Sequence, residues 1–119
     1  MSTLLEETIH NAETQRLDAR GVAKLYDVSL PVVASAIGVK ADALRKRPDS
    51  RPVQNQLGIL VDCFARVYEV MSQDEAAVRR WLNRPNRELD GTRPLALLEE
   101  GRLSELKAIV KQIETASYA

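Results

Sequence analysis

Apolar positions along this chain recur at helical spacing almost throughout, and no segment alternates apolar with polar residues between hairpin turn pairs. The clearest run is residues 53–71, VQNQLGILVDCFARVYEVM. Leu57, Leu60, Val61, Phe64, Val67, Tyr68 and Met71 follow the i, i+3, i+4, i+7 rule and form one broad stripe, and Ile59, Cys63 and Val70 add apolar surface beside it. A helix apolar over more than half its circumference is expected as a central strut between two lobes, as one side of an oligomer interface, or as both. Ile59, Cys63 and Val70 are therefore candidate interface residues, and a homodimer is the simplest assembly.

Upstream, Thr3-x-x-Glu6 makes a capping box, but the stripe behind it, Leu5, Ile9 and Ala12, is thin, so residues 1–16 are expected as an N-terminal helix or a flexible arm. From Leu17 the pattern strengthens. Val22, Leu25 and Tyr26 share a face; Ser29 then opens a second helix with Pro31 in its first turn, which carries Val33, Ala34 and Ile37 inward and stops at Gly38. Ala34, Gly38, Val39 and Leu44 have the spacing of a helix-turn-helix, in which the small residue lets two helices cross and the glycine takes the turn. Residues 17–52 are accordingly expected as a helix-turn-helix-like lobe. Its second helix, Ala41 to Arg47, ends at Pro48 with Arg45, Lys46 and Arg47 in its last turn and Arg51 just beyond. These four residues suit DNA phosphates; a solvated basic end favoured by the helix dipole accounts for them equally. Asp42 at the helix start is an unusual residue where base-reading side chains project.

Downstream, Ser72-x-x-Glu75 predicts a capped helix directly after the long one, with Val78, Trp81 and Leu82 inward. Pro85 ends that helix near Arg84, Asn83 to Asn86 reads as a turn, and Asp90-Gly91 as a second. A short helix over 95–100, stopped by Gly101, precedes a last amphipathic helix carrying Leu103, Leu106, Ile109, Val110 and Ile113, followed by a tail, ASYA. The fold class is thus all-α, with an N-terminal helix-turn-helix-like lobe, a long central helix over 53–71 and a small C-terminal helical lobe over 72–119.

Composition narrows the function by exclusion. Seventeen basic residues balance seventeen acidic ones, so no global field draws the chain to nucleic acid or membrane, and any such contact is local. His10 is the single histidine, Cys63 sits in an apolar run without a basic neighbour, and adjoining carboxylates such as Glu99-Glu100 point apart. No phosphate-binding glycine loop is present. No catalytic residue, metal site or cofactor is expected. With no basic, apolar leader and no window of roughly 18 apolar residues, the expected location is the cytoplasm, with no membrane partner.

The last third carries a more specific signal. Pro85-Asn86, Leu89, Gly91, Pro94-Leu95, Leu98, Gly101, Val110, Ile113-Glu114 and Tyr118-Ala119 occur in an order that resembles the toxin-binding domain of the Xre/MbcA/ParS-type antitoxins. Families of this type carry a helix-turn-helix lobe before a long helix, which extends the likeness to residues 17–119. Ala116 and Ser117 replace the glycine and apolar residue common before the terminal aromatic, and Lys40-Ala41-Asp42 departs from a DNA-reading helix start. The resemblance implies a type II antitoxin whose partner is a RES-domain toxin that consumes NAD or uses it for ADP-ribosylation, and whose C-terminal domain blocks the toxin's active-site cleft. It places Arg84, Asn86, Arg87, Arg93, Ser117, Tyr118 and Ala119 on the toxin-binding surface. For the arginines, a solvated loop is the plainer alternative. A regulator that binds promoter DNA and uses its C-terminal lobe only to oligomerise is the alternative function.

Overall fold

The structure, a computed structural model, describes residues 16–118. The expected capped helix at Thr3 to Ala12 and the terminal Ala119 lie outside the described residues. Within them the fold is all-α. Helices α1 (Ala19–Tyr26), α2 (Leu30–Ile37), α3 (Ala41–Lys46), α4 (Arg51–Val70), α5 (Glu75–Asn83), α6 (Pro94–Glu99) and α7 (Leu103–Tyr118) follow in order, with one 3-10 turn at Arg87–Leu89 between α5 and α6.

Helix boundaries follow local chemistry. Asp18 opens α1 by accepting a hydrogen bond from the Arg20 amide, 3.1 Å away. The chain leaves α1 through Asp27 in the left-handed region, so the Asp27 and Val28 amides return to the Lys24 and Ala23 carbonyls. α2 has proline in its first turn and ends on Gly38 at φ 75°. α3 is one residue shorter than expected, since Arg47 leaves helical geometry ahead of Pro48. α4 starts two residues earlier than its apolar stripe, with Pro52 supplying a preset φ in the first turn.

The link from α4 to α5 differs from the Ser72 cap read from sequence. Ser72 and Gln73 both take positive φ, 57° and 64°, and their amides close the end of α4 on the Glu69 and Tyr68 carbonyls. Asp74 is the cap, its carboxylate accepting from the Ala77 amide at 3.2 Å. Two cap signals overlap in Ser-Gln-Asp-Glu, and satisfying the orphan carbonyls of α4 uses up the first. The ASYA tail also differs: residues 116–118 continue α7 without a break.

One hydrophobic core runs from Ala19 to Val110 and joins residues of every α-helix. α4 lies at its centre, packed by α1, α2, α5 and α7. Val53, Leu57, Leu60, Cys63, Phe64, Val67 and Tyr68 are buried, so the chain itself covers most of the stripe. Tyr26 is fixed against α4 twice: its hydroxyl donates to the Leu60 carbonyl at 2.5 Å, and its ring meets Phe64 edge-on, with centroids 5.3 Å apart. Trp81 is half-buried at the border of the core, beside the fully buried Val78 and Leu82.

The amino-terminal helices and the carboxy-terminal ones share this core through α2, which packs against α6. At their junction Gly101 stands at φ 69°, and a Cβ there would lie 2.9 Å from the Ser35 carbonyl oxygen. Both the backbone conformation and the close approach require glycine. Gly101→Ala is therefore expected to destabilise the fold by about 1–3 kcal/mol, which thermal unfolding followed by circular dichroism measures. An unchanged melting temperature would mean that α2 and α6 separate at little cost.

Candidate partner-binding site

Residues 83–93 form a closed structure rather than two independent turns. Asn86 is its centre. The Asn86 side chain accepts from the Glu88 amide at 2.8 Å and starts the 3-10 turn, while its carbonyl accepts from the Leu89 and Gly91 amides. The Asn86 amide donates to the Thr92 carbonyl at 3.1 Å, an isolated antiparallel bridge across the base of the loop. Asp90 and Gly91, both at positive φ, bring the chain back.

Four further hydrogen bonds brace this loop to the helices on either side. Arg93 reaches Asn83 Oδ1 at 3.4 Å and Glu99 Oε1 at 3.1 Å, so it ties the end of α5 to α6. The Asn83 amide group in turn donates to the Arg79 carbonyl at 2.8 Å. On the far side Gln112 of α7 donates to Glu88 at 3.2 Å. The side chains of Arg84 and Arg87 are exposed and make no hydrogen bond or ion pair among the described residues. The arginines named from sequence thus divide, with Arg93 engaged within the chain and Arg84 and Arg87 presented by a loop already held in place.

Sequence reading missed Asn83, Glu99 and Gln112 as braces. The signal for Asn83 was its place four residues after Arg79 at a helix end, where an amide readily bonds the preceding turn. Gln112 gave none, because its partner is distant in sequence. Ser117 is exposed near the end of α7; of Tyr118 only the helical backbone is described.

The basic cluster lies elsewhere, at the α3–α4 corner. Arg45, Lys46, Arg47 and Arg51 are all exposed, and Arg45 stands 3.9 Å from Asp42 in a solvated pair. The corner is fastened by Gln54, whose side chain exchanges hydrogen bonds with the Leu17 backbone at 2.9 and 3.0 Å and donates to the Pro48 carbonyl at 2.8 Å. Of the candidate oligomer residues, Cys63 is buried and Ile59 and Val70 are half-buried. No cluster among the described residues could hold a metal ion, and no described helix is long and apolar enough to cross a membrane.

The braced loop falls inside a stretch that resembles a known domain family. Residues 66–114 match the model of the antitoxin Xre/MbcA/ParS C-terminal toxin-binding domain. No curated protein matches the chain. The matched stretch runs from the last turns of α4 to near the end of α7 and is similar to the toxin-binding domain of those antitoxins.

Cys63 illustrates how the core behaves electrostatically. Burial, assisted by the Asp62 charge and opposed by Arg66 and Lys107, pushes its thiol from 9.0 up to about 11. The unfolded thiol ionises first, so stability present below pH 9 is lost as pH rises toward 11; burial of the Tyr26 hydroxyl acts in the same direction. Urea midpoints between pH 8 and 11 should fall with pH, and less steeply in Cys63→Ala. Identical slopes would show that the thiol titrates alike in both states.

Proposed function

We propose that the chain is the antitoxin of a type II toxin-antitoxin module, acts in the cytoplasm, and neutralises a RES-domain toxin that consumes NAD or transfers ADP-ribose from it. The toxin-binding domain match over residues 66–114 carries this reading. The geometry supports it in two ways. Loop 83–93 is ordered by its own hydrogen bonds before any partner arrives, which lowers the entropy lost on binding. Arg84 and Arg87 have guanidinium groups not committed to other described residues, and a planar fork suits carboxylates and polar groups around a nucleotide cleft. In this reading the loop and the end of α7 cover the toxin's cleft and block NAD entry, with Asn86 and Arg93 shaping the loop and Ser117, Tyr118 and Ala119 extending the contact.

The experiment is co-purification with the toxin, followed by titration of its NAD consumption. Arg84→Glu with Arg87→Glu is expected to raise the inhibitor concentration needed by at least tenfold while leaving the melting temperature unchanged, since neither side chain braces the fold. Full inhibition at one-to-one stoichiometry by the double variant would remove both arginines from the interface.

A second role rests on a separate observation. α2 and α3 meet at the Gly38 turn over buried Ala34 and Leu44, and the corner beyond them presents Arg45, Lys46, Arg47 and Arg51 together to solvent. We infer a helix-turn-helix that contacts promoter DNA mainly through phosphates. Alanine at Arg45, Lys46 and Arg47 should weaken binding to all sequences alike and reduce the salt slope by about one unit per residue removed. Gel shifts at several salt concentrations test this, and an unaltered slope would leave the cluster as a solvated helix end.

A further inference from the structure

Between α4 and α7 lies an open groove of about 570 Å³ that the proposed toxin contact leaves unused. Ile59, Cys63 and Ala108 line its apolar part, and Asp62, Arg66, Lys107 and Lys111 its charged part. Arg66 is already engaged by Asp62 at 2.9 Å and Glu114 at 3.1 Å. Lys107 and Lys111 are exposed and have no ion pair among the described residues, so the groove carries uncompensated positive charge.

We propose that this groove is the docking site of the chain's own residues 1–15. Three observations choose that occupant. The first is charge: residues 1–15 contain Glu6, Glu7 and Glu13 and neither lysine nor arginine. The second is shape, because Leu5, Ile9 and Ala12 recur at i, i+4, i+7, a stripe narrow enough for a groove between two helices. The third is position. Gln54 clips Leu17 beside Asn55, and the Leu17 side chain is the nearest neighbour of Gly58; Asn55 and Gly58 both line the groove. Leu17, just after this segment, therefore lies at the groove's edge.

The reach also agrees. The lining from Asn55 to Arg66 spans about 16 Å of helix, a distance that a segment of fifteen residues is long enough to cover. Tethering supplies an effective concentration on the order of millimolar, so a shallow contact suffices. A second copy is the poorer occupant, because an isologous contact would set Lys107 and Lys111 against their own duplicates.

Hydrogen exchange on the full-length protein tests the proposal. Amides of residues 5–13 should exchange at least tenfold more slowly than in an isolated peptide of the same sequence. Lys107→Glu with Lys111→Glu should abolish that protection, and adding Glu6→Lys, Glu7→Lys and Glu13→Lys should restore it. Ile9→Asp, which leaves the groove itself untouched, should also abolish it. Absence of protection in the unmodified protein, or protection indifferent to these changes, overturns the proposal. So does protection that disappears on dilution as light scattering reports a fall from two chains to one, since the groove would then hold a second copy.

Discussion

A chain of 119 residues has apolar side chains enough for one core, and its longest apolar helix has to serve both ends of the sequence. That constraint shapes the rest of the molecule. α4 is covered by α1 and α2 from one end and by α5 and α7 from the other, and Leu57, Leu60 and Phe64 are almost inaccessible as a result. The hydroxyl of Tyr26, buried with its ring, can remain there because a carbonyl of α4 accepts its proton. Polar groups elsewhere meet the same requirement: no buried side-chain nitrogen or oxygen among the described residues is left without a partner.

Much of this was legible in the sequence. Periodicity located the helices because burial on one face is what produces it, and glycines at 38 and 101 marked real stops. Three features were not legible, each for a physical reason. The cap of α5 fell to Asp74 rather than Ser72 because the end of α4 has carbonyls of its own to satisfy. The surplus apolar surface of α4 proved mostly covered, since its neighbours are distant in sequence and periodicity does not reveal them. The candidate arginines looked alike as residue types, and only the positions of Asn83 and Glu99 distinguish the committed Arg93 from Arg84 and Arg87.

Zero net charge conceals this same division. Asp and Glu side chains are spent largely on neighbours in solvated pairs: Asp42 with Arg45, Asp62 with Arg66, Asp74 with Arg80, and Glu105 with Arg102. Exposed pairs of this kind contribute little stability. Their effect is on where charge remains available. Several of the cations left over lie at loop 83–93, at the α3–α4 corner and along the α4–α7 groove. Balanced composition therefore excludes a general electrostatic attraction while permitting local ones.

The family match begins at Arg66, inside α4, and this bears on how the proposed toxin-binding surface is held. Residues 66–114 taken alone would keep α5, α6 and most of α7 but lose α2 and three quarters of the helix against which α7 lies. Leu97 and Leu98 of α6 are fully buried, and α2 is one of the helices that packs against α6. Without that cover, α6 would expose apolar surface, and with it the Glu99 that anchors Arg93 would lose its fixed position. The loop that presents Arg84 and Arg87 thus depends on helices outside the matched stretch. Gly101, by letting the chain pass directly over Ser35, is where the two parts of the sequence are brought close enough for one to order the other.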